Sequence, residues 1–190
     1  MTALTFRFGT MNSSKTANML MMAWNYRSKG KKILLIKPAC DTREADATMI
    51  RSRAGQEMKA DLILEADVTD ISSLIMNMEC VLVDEAQFLS IANIDMLRGI
   101  SMTIPVICYG LRTDYLSRLF PGARRLFEVA DTLEEIPTVC VGCSRKAIIN
   151  AKFLVGEGDI RVVMREGSTE LDLGGEDKYQ PMCWQCWIEY

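Results

Sequence analysis

Apolar residues along this chain come in short runs separated by polar, periodic stretches. Leu4 to Phe8 alternates between apolar and polar and reads as a β-strand. Ile33 to Ile36 is a continuous apolar run closed by Pro38. Cys80 to Val83 is a second, and Pro105 to Tyr109 is a third, ending at Gly110. Unbroken runs of this length suit strands buried on both faces. Asp61 to Leu64 reads as a further short strand. Helical spacing fills the intervals. From Thr16 onward, Ala17, Leu20, Met21 and Trp24 share one face, and Gly30 is placed to end the element. Asp70 to Met78, Ile91 to Ile100 and Gly122 to Ala130 also read as helices, the last followed by Asp131 to Ile136. Asp41 to Lys59 is polar and weakly patterned, as in a mobile loop or an irregular helix. This alternation argues for an open, mainly parallel α/β sheet flanked by helices. After Thr138 the style changes. Two C-x-x-C pairs bracket a segment rich in glycine and charge, so residues 1–137 read as one domain and 138–190 as a small second one.

The first strand runs into GTMNSSKT, Gly9 to Thr16, and a helix follows. A triphosphate needs donors that wrap around it, and a glycine-rich turn opening a helix supplies N–H groups and a favourable dipole. The full pattern is G-x-x-x-x-G-K-[ST]; here the second glycine is Ser14. Lys15 is placed to reach the terminal phosphates and Thr16 to offer a hydroxyl to Mg²⁺. If position 14 needs a positive φ, a serine there costs about 1 kcal/mol.

The apolar run ending at Val83 delivers Asp84 and Glu85 to the carboxyl end of a buried strand, which lines the ligand crevice in open α/β sheets. Asp84 suits a Mg²⁺-binding acid, and Glu85 suits a base acting on a hydroxyl or a water. The tetrad D-E-A-Q also resembles the acidic box of helicase-type ATPases, although such motors use two ATPase-type domains and this chain is short and acidic. A nucleotide binder with a decayed loop is the remaining alternative at this point. Beyond the third strand, G-L-R-T-D-Y-L-S-R-L-F brings Tyr115 and Phe120 to the crevice edge, where they and Phe88 could pack on a planar ligand. Arg43 and either Arg112 or Arg118 could offset phosphate charge.

Composition narrows the choice. At 190 residues and 49% hydrophobic, the chain can bury a core. A net charge of −3 sets it apart from general nucleic-acid scaffolds, no apolar run approaches a membrane span, and the N-terminus reads as a strand, not a signal peptide. Of the seven cysteines, Cys40, Cys80 and Cys108 stand singly in apolar surroundings, as buried free thiols would. Cys140, Cys143, Cys183 and Cys186 form two pairs, in a chain with no histidine. Two C-x-x-C knuckles are the usual ligands of a closed, structural tetrahedral Zn²⁺ site, here anchoring residues 144–182 near the main domain as a lid.

Taken in order, G-x-M-x-S-x-K-T (Gly9 to Thr16), K-P-x-x-D-T-R (Lys37 to Arg43), V-D-E-A-Q-F (Val83 to Phe88), Y-G-L-R-T-D (Tyr109 to Asp114), the four cysteines and G-G-E-D-K-Y (Gly174 to Tyr179) span nearly the whole chain. The set resembles the thymidine kinases of the small cytosolic type found in animals, bacteria, large DNA viruses and phages. Y-G-L-R-T-D is most similar to bacterial and phage members. The resemblance implies a P-loop (RecA-like) sheet and a zinc-binding domain carrying a long lid (lasso) loop. It implies ATP- and Mg²⁺-dependent phosphorylation of the 5′-hydroxyl of thymidine, with deoxyuridine as a further acceptor, in nucleotide salvage. By that resemblance Glu85 takes the hydroxyl proton. Gly9, Thr10, Met11, Asn12, Ser13, Ser14 and Lys15 hold phosphates, Thr16 and Asp84 serve the metal, and Asp41, Arg43 and Gln87 lie near the phosphates. Met11, Phe88, Leu111, Tyr115, Phe120 and Tyr179 build the nucleoside pocket, with Leu173 and Gly174 in the covering loop. A cytoplasmic homotetramer inhibited by thymidine triphosphate, with no nucleic-acid or membrane partner, completes the expectation. Ser14 departs from the usual glycine, which bears on rate more than on identity.

Overall fold

A computed structural model of the chain describes residues 2–42, 45–155, 161–167 and 178–190. The apolar runs pair as expected. Strands β1 (Leu4–Gly9), β2 (Ile33–Pro38), β5 (Leu62–Leu64), β6 (Cys80–Val83), β7 (Val106–Leu111) and β8 (Thr132–Glu135) form one six-stranded sheet in the order β5-β2-β6-β7-β1-β8. Every neighbouring pair is parallel. The three unbroken apolar runs occupy the middle, and their pleat distributes them between two cores. Leu34, Ile36, Val81, Val83, Val106 and Cys108 face helices α3 (Ile91–Ile100) and α4 (Pro121–Val129). Ile33, Leu35, Cys80, Leu82, Ile107 and Tyr109 face helix α1 (Lys15–Ser28). Period-two alternation therefore survives in strands with no polar residue to reveal it. The helix ends follow local chemistry: Ser90 and Asn93 form a reciprocal capping box on α3, and Pro121 opens α4.

Four expectations need correction. The stretch from Asp41 to Lys59 contains an antiparallel hairpin, β3 (Met49–Arg51) with β4 (Glu57–Lys59), not a loop or irregular helix. Three-residue strands are too short to display alternation, and Ile50 alone of the pair is buried, under α1. The Asp70–Met78 helix shrinks to one turn, α2 (Ser72–Ile75), which gives way to a turn closed by Met78 N to Ile75 O at 2.9 Å. On α1 the buried residues are Lys15, Met19, Leu20 and Ala23, while Met21 and Trp24 are exposed. Cys40 is exposed, whereas Cys80 and Cys108 are buried as expected. Burial pushes the Cys80 thiol up to about 11 and raises that of Cys108 as well, so both are inert fillers of the core.

The C-terminal region builds a separate three-stranded antiparallel sheet in the order β10-β9-β11, from β9 (Ile149–Val155), β10 (Arg161–Val163) and β11 (Tyr179–Met182). Helix α5 (Trp184–Glu189) follows. Its core gathers Ile149, Ala151, Phe153, Val163, Met182 and Trp187 around Cys140 and Cys183. Arg165 donates to the carbonyls of Trp187 and Ile188, closing the end of α5. No helix among the described residues is long and apolar enough to cross a membrane.

Candidate active site

The crevice lies where a parallel sheet places it, at the carboxyl ends of β1, β6 and β7. Gly9 closes β1 and the phosphate loop follows. Asn12 and Ser14 both take left-handed backbone, at φ 64° and 61°. Asparagine tolerates this conformation, but serine does not favour it. The Ser14 carbonyl accepts the first helical bond, from Asn18 N at 3.0 Å. Lys15 is 8% exposed, and its Nζ donates to Thr10 O at 2.6 Å and to Ser13 Oγ at 3.3 Å, so the ammonium sits inside the arch of its own loop.

Asp84 and Glu85 leave β6 beside this arch. Asp84 N still bonds to Ile36 O in β2, which fixes the turn of the chain. Both carboxylate oxygens of Asp84 lie 3.3 Å from Thr16 Oγ1. A hydroxyl and a carboxylate at the head of the phosphate loop are the oxygen donors that a hard cation such as Mg²⁺ takes. Glu85 is 8% exposed and has φ 47°, a third left-handed residue; the fourth non-glycine one, Ser117, lies in the loop after β7. All four, among the described residues, fall on loops at the carboxyl edge of the sheet, where strain marks a functional site. Gln87, expected at the phosphates, is turned inward: its Nε2 donates to Glu85 Oε2 at 2.5 Å and its Oε1 accepts from Leu111 N at 2.9 Å.

The aromatics form two pairs. Phe88 and Phe120 meet edge to face, ring centroids 5.6 Å apart. Tyr115 and Tyr179 lie 6.5 Å apart, with the Lys152 ammonium 5.1 and 5.9 Å from their ring centres. Asp41 pairs with Lys37 across 3.6 Å in a buried site, and Arg112 donates to Ile148 O at 3.2 Å, toward the small sheet and not toward phosphates. Arg43, Leu173 and Gly174 lie outside the described residues.

One residue escaped sequence reasoning. Asn150, on β9 and 3% exposed, accepts from Met11 N at 2.7 Å and donates to Thr113 O at 3.0 Å. It thus pins the small sheet to the phosphate loop and to the loop after β7. A lone asparagine between apolar neighbours, IIN-AKF, was the available signal: a buried carboxamide needs partners.

The four cysteines converge. Their Sγ atoms all lie within 4.8 Å of one another, and Cys143 and Cys183 are 3.7 Å apart. Sulfurs about 2.3 Å from a central ion in a tetrahedron stand about 3.8 Å apart, so the set fits zinc. Two backbone amides point at sulfur, Gly142 N at Cys140 and Cys186 N at Cys183, each at 3.4 Å. Arg145, donating to Cys143 Sγ at 3.4 Å, brings that thiol down to about 6, while hydrogen bonds with Cys143 and Cys183 push Cys186 up to about 12.

Comparison with known proteins places this geometry. The family model described as "Thymidine kinase" matches residues 2–187. A thymidine kinase of Encephalitozoon cuniculi is 39% identical over 189 residues, covering 98% of this chain and 87% of that protein. One of Streptococcus thermophilus is 38% identical over 192 residues, covering 99% and 94%. One of Streptococcus agalactiae is 36% identical over 189 residues, covering 96% and 95%.

Proposed function

The chain belongs to the thymidine kinase family, and from that premise we propose how its residues carry the transfer. It is a kinase that phosphorylates thymidine with ATP as donor. In our reading, Glu85 takes the proton of the 5′-hydroxyl as that oxygen bonds to the γ-phosphorus. The bond from the γ-phosphorus to the bridging oxygen breaks, leaving ADP and thymidine monophosphate. Lys15 and the loop amides from Gly9 to Ser14 hold the phosphates, where fixed positive charge and oriented N–H groups offset the charge gathering on ADP. Thr16 and Asp84 would hold Mg²⁺, which would neutralise part of the phosphate charge. Asp41 and Arg43 flank the phosphates. Met11, Phe88, Leu111, Tyr115, Phe120 and Tyr179 hold the nucleoside, and Leu173 and Gly174 are assigned to it by kinship. The four thiolates would hold a structural Zn²⁺, which would clamp the two cysteine pairs together. Deoxyuridine as a second acceptor, a cytoplasmic homotetramer and inhibition by thymidine triphosphate belong to the same reading and rest on kinship.

The observation that carries it is the facing of Thr16 Oγ1 and the Asp84 carboxylate, with Glu85 one residue on and buried. That brings a metal-binding pair and a base to the mouth of a phosphate loop. The test is turnover of thymidine with ATP and Mg²⁺ by wild type and Glu85→Gln. Wild type should yield thymidine monophosphate, and Glu85→Gln should lower kcat roughly 100-fold or more with ATP binding intact. A variant with near-normal turnover removes Glu85 from the role of base. Absence of product from micromolar wild type refutes the assigned chemistry.

A further inference from the structure

We propose that Gln87 is a positioning residue for the Glu85 carboxylate, holding it to the strand that carries Leu111. The inference rests on the reading of Glu85 as the base. Three features of the structure carry it. First, Gln87 is 1% exposed, so its carboxamide serves the protein interior and not the phosphates. Second, both ends of that amide are committed. Leu111 N–H is a donor and must meet the oxygen, at 2.9 Å; this fixes which end is Nε2, and Nε2 then donates to Glu85 Oε2 at 2.5 Å. Third, the surroundings are cut to fit the side chain. A Cβ on Gly110 would stand 2.6 Å from Gln87 Oε1 and 3.1 Å from Gln87 N, so β7 must be bare where the amide crosses it. A Cβ on Gly122 would meet the carbonyls of Ala86, Gln87 and Leu89 at 2.7 to 2.8 Å, so α4 presses directly on the short 3₁₀ turn Ala86–Phe88 that carries Gln87.

The consequence is chemical. Glu85 sits in left-handed backbone at a strand end. A charge-assisted bond from a clamped amide helps to fix the direction of its carboxylate. The same amide ties the base to Leu111, so the proton acceptor and one wall of the nucleoside pocket move together. Orientation of this kind contributes to the chemical step and little to binding.

The experiment compares kcat, thymidine KM and ATP affinity for wild type, Gln87→Met, Gln87→Glu, Gly110→Ala, Glu85→Gln and the double variant Gln87→Met with Glu85→Gln. Gln87→Met should lower kcat roughly 10-fold or more, a share of what a general base supplies, with KM and ATP affinity within about twofold. Gln87→Glu keeps the volume but sets a second carboxyl against the first, so it should not restore kcat. Gly110→Ala should reproduce the Gln87→Met loss of kcat by displacing the amide. On Glu85→Gln the Gln87→Met change should add nothing, as for residues acting as a unit. Wild-type kcat in Gln87→Met, a change in KM or ATP affinity as large as that in kcat, or full additivity on Glu85→Gln, overturns the proposal and leaves Glu85 as the base. Near-normal turnover by Glu85→Gln overturns the underlying reading instead.

Discussion

The parallel sheet and the cysteine-bearing unit are held together on different principles. The sheet shares its central strands between two apolar layers, so each of β2, β6 and β7 is buried on both sides. The C-terminal unit has one small cluster, in which Cys140 and Cys183 count among the buried members. Below about 70–80 residues a single core supplies little stability, and metals or disulfides commonly supplement it. The difference matters for function because the residues we propose as base and metal-binding acid, Glu85 and Asp84, sit on the large half, whereas the four cysteines that fit zinc sit on the small one. Between the two runs a polar seam: Met11 N to Asn150, Asn150 to Thr113 O, Arg112 to Ile148 O, and Thr138 Oγ1 to Asn12 O.

The harshest way to break this comparison is to remove the metal ligands. Cys143→Ser should release the metal, which native protein purified without chelator should hold at about one zinc per chain. Thymidine turnover should fall roughly 100-fold or more, while the main sheet still unfolds cooperatively and still binds ATP. Metal analysis, calorimetry and nucleotide titration check each part. An unchanged thymidine KM in the zinc-free variant would show that the small unit stands without its cysteines.

The seam allows a finer cut. Asn150→Ala leaves a buried N–H at Met11 and a buried carbonyl at Thr113 without their partner, at about 1–3 kcal/mol each. The expected result is a loss of about 2–4 kcal/mol in urea unfolding, together with a raised thymidine KM. Asn150→Asp keeps the acceptor for Met11 N–H and should lose less. Equal losses from the two would point to general packing at this position.

The smallest effect tests the large half alone. Ser14 holds φ 61° with no side-chain capping bond, so Ser14→Gly should relieve about 1 kcal/mol of left-handed strain. The added freedom of the unfolded chain takes back roughly 0.5–1 kcal/mol. The net gain should be about 0.5 kcal/mol or less by urea unfolding, with zinc content unchanged. A clear loss of stability would mean that the Ser14 hydroxyl makes a compensating contact.

Much of the large half was legible because its signals are local. The β1 loop and the acids after β6 are short segments whose residues act on near neighbours. The hairpin at Met49–Lys59 was not legible, since three residues per strand cannot establish a period. The role of Gln87 was hidden for a different reason. Its partner Glu85 is two residues away, but its other partner, Leu111, lies on another strand.

By itself the sequence determined the strand and helix alternation, the phosphate loop, the acid pair and the cysteine knuckles, since each rests on spacing within a few residues. It also carried the family. Tertiary structure alone decided which face of α1 is buried. Met19, Leu20 and Ala23 go inward, although Ala17, Leu20, Met21 and Trp24 satisfy the same helical spacing. A helix apolar on most sides has several valid stripes, and only the sheet beneath it selects one. Tertiary structure likewise paired Met11 with Asn150, 139 positions apart. A hydrogen bond requires two groups to meet in space, and nothing in the one-dimensional order of residues specifies that meeting until the chain has folded.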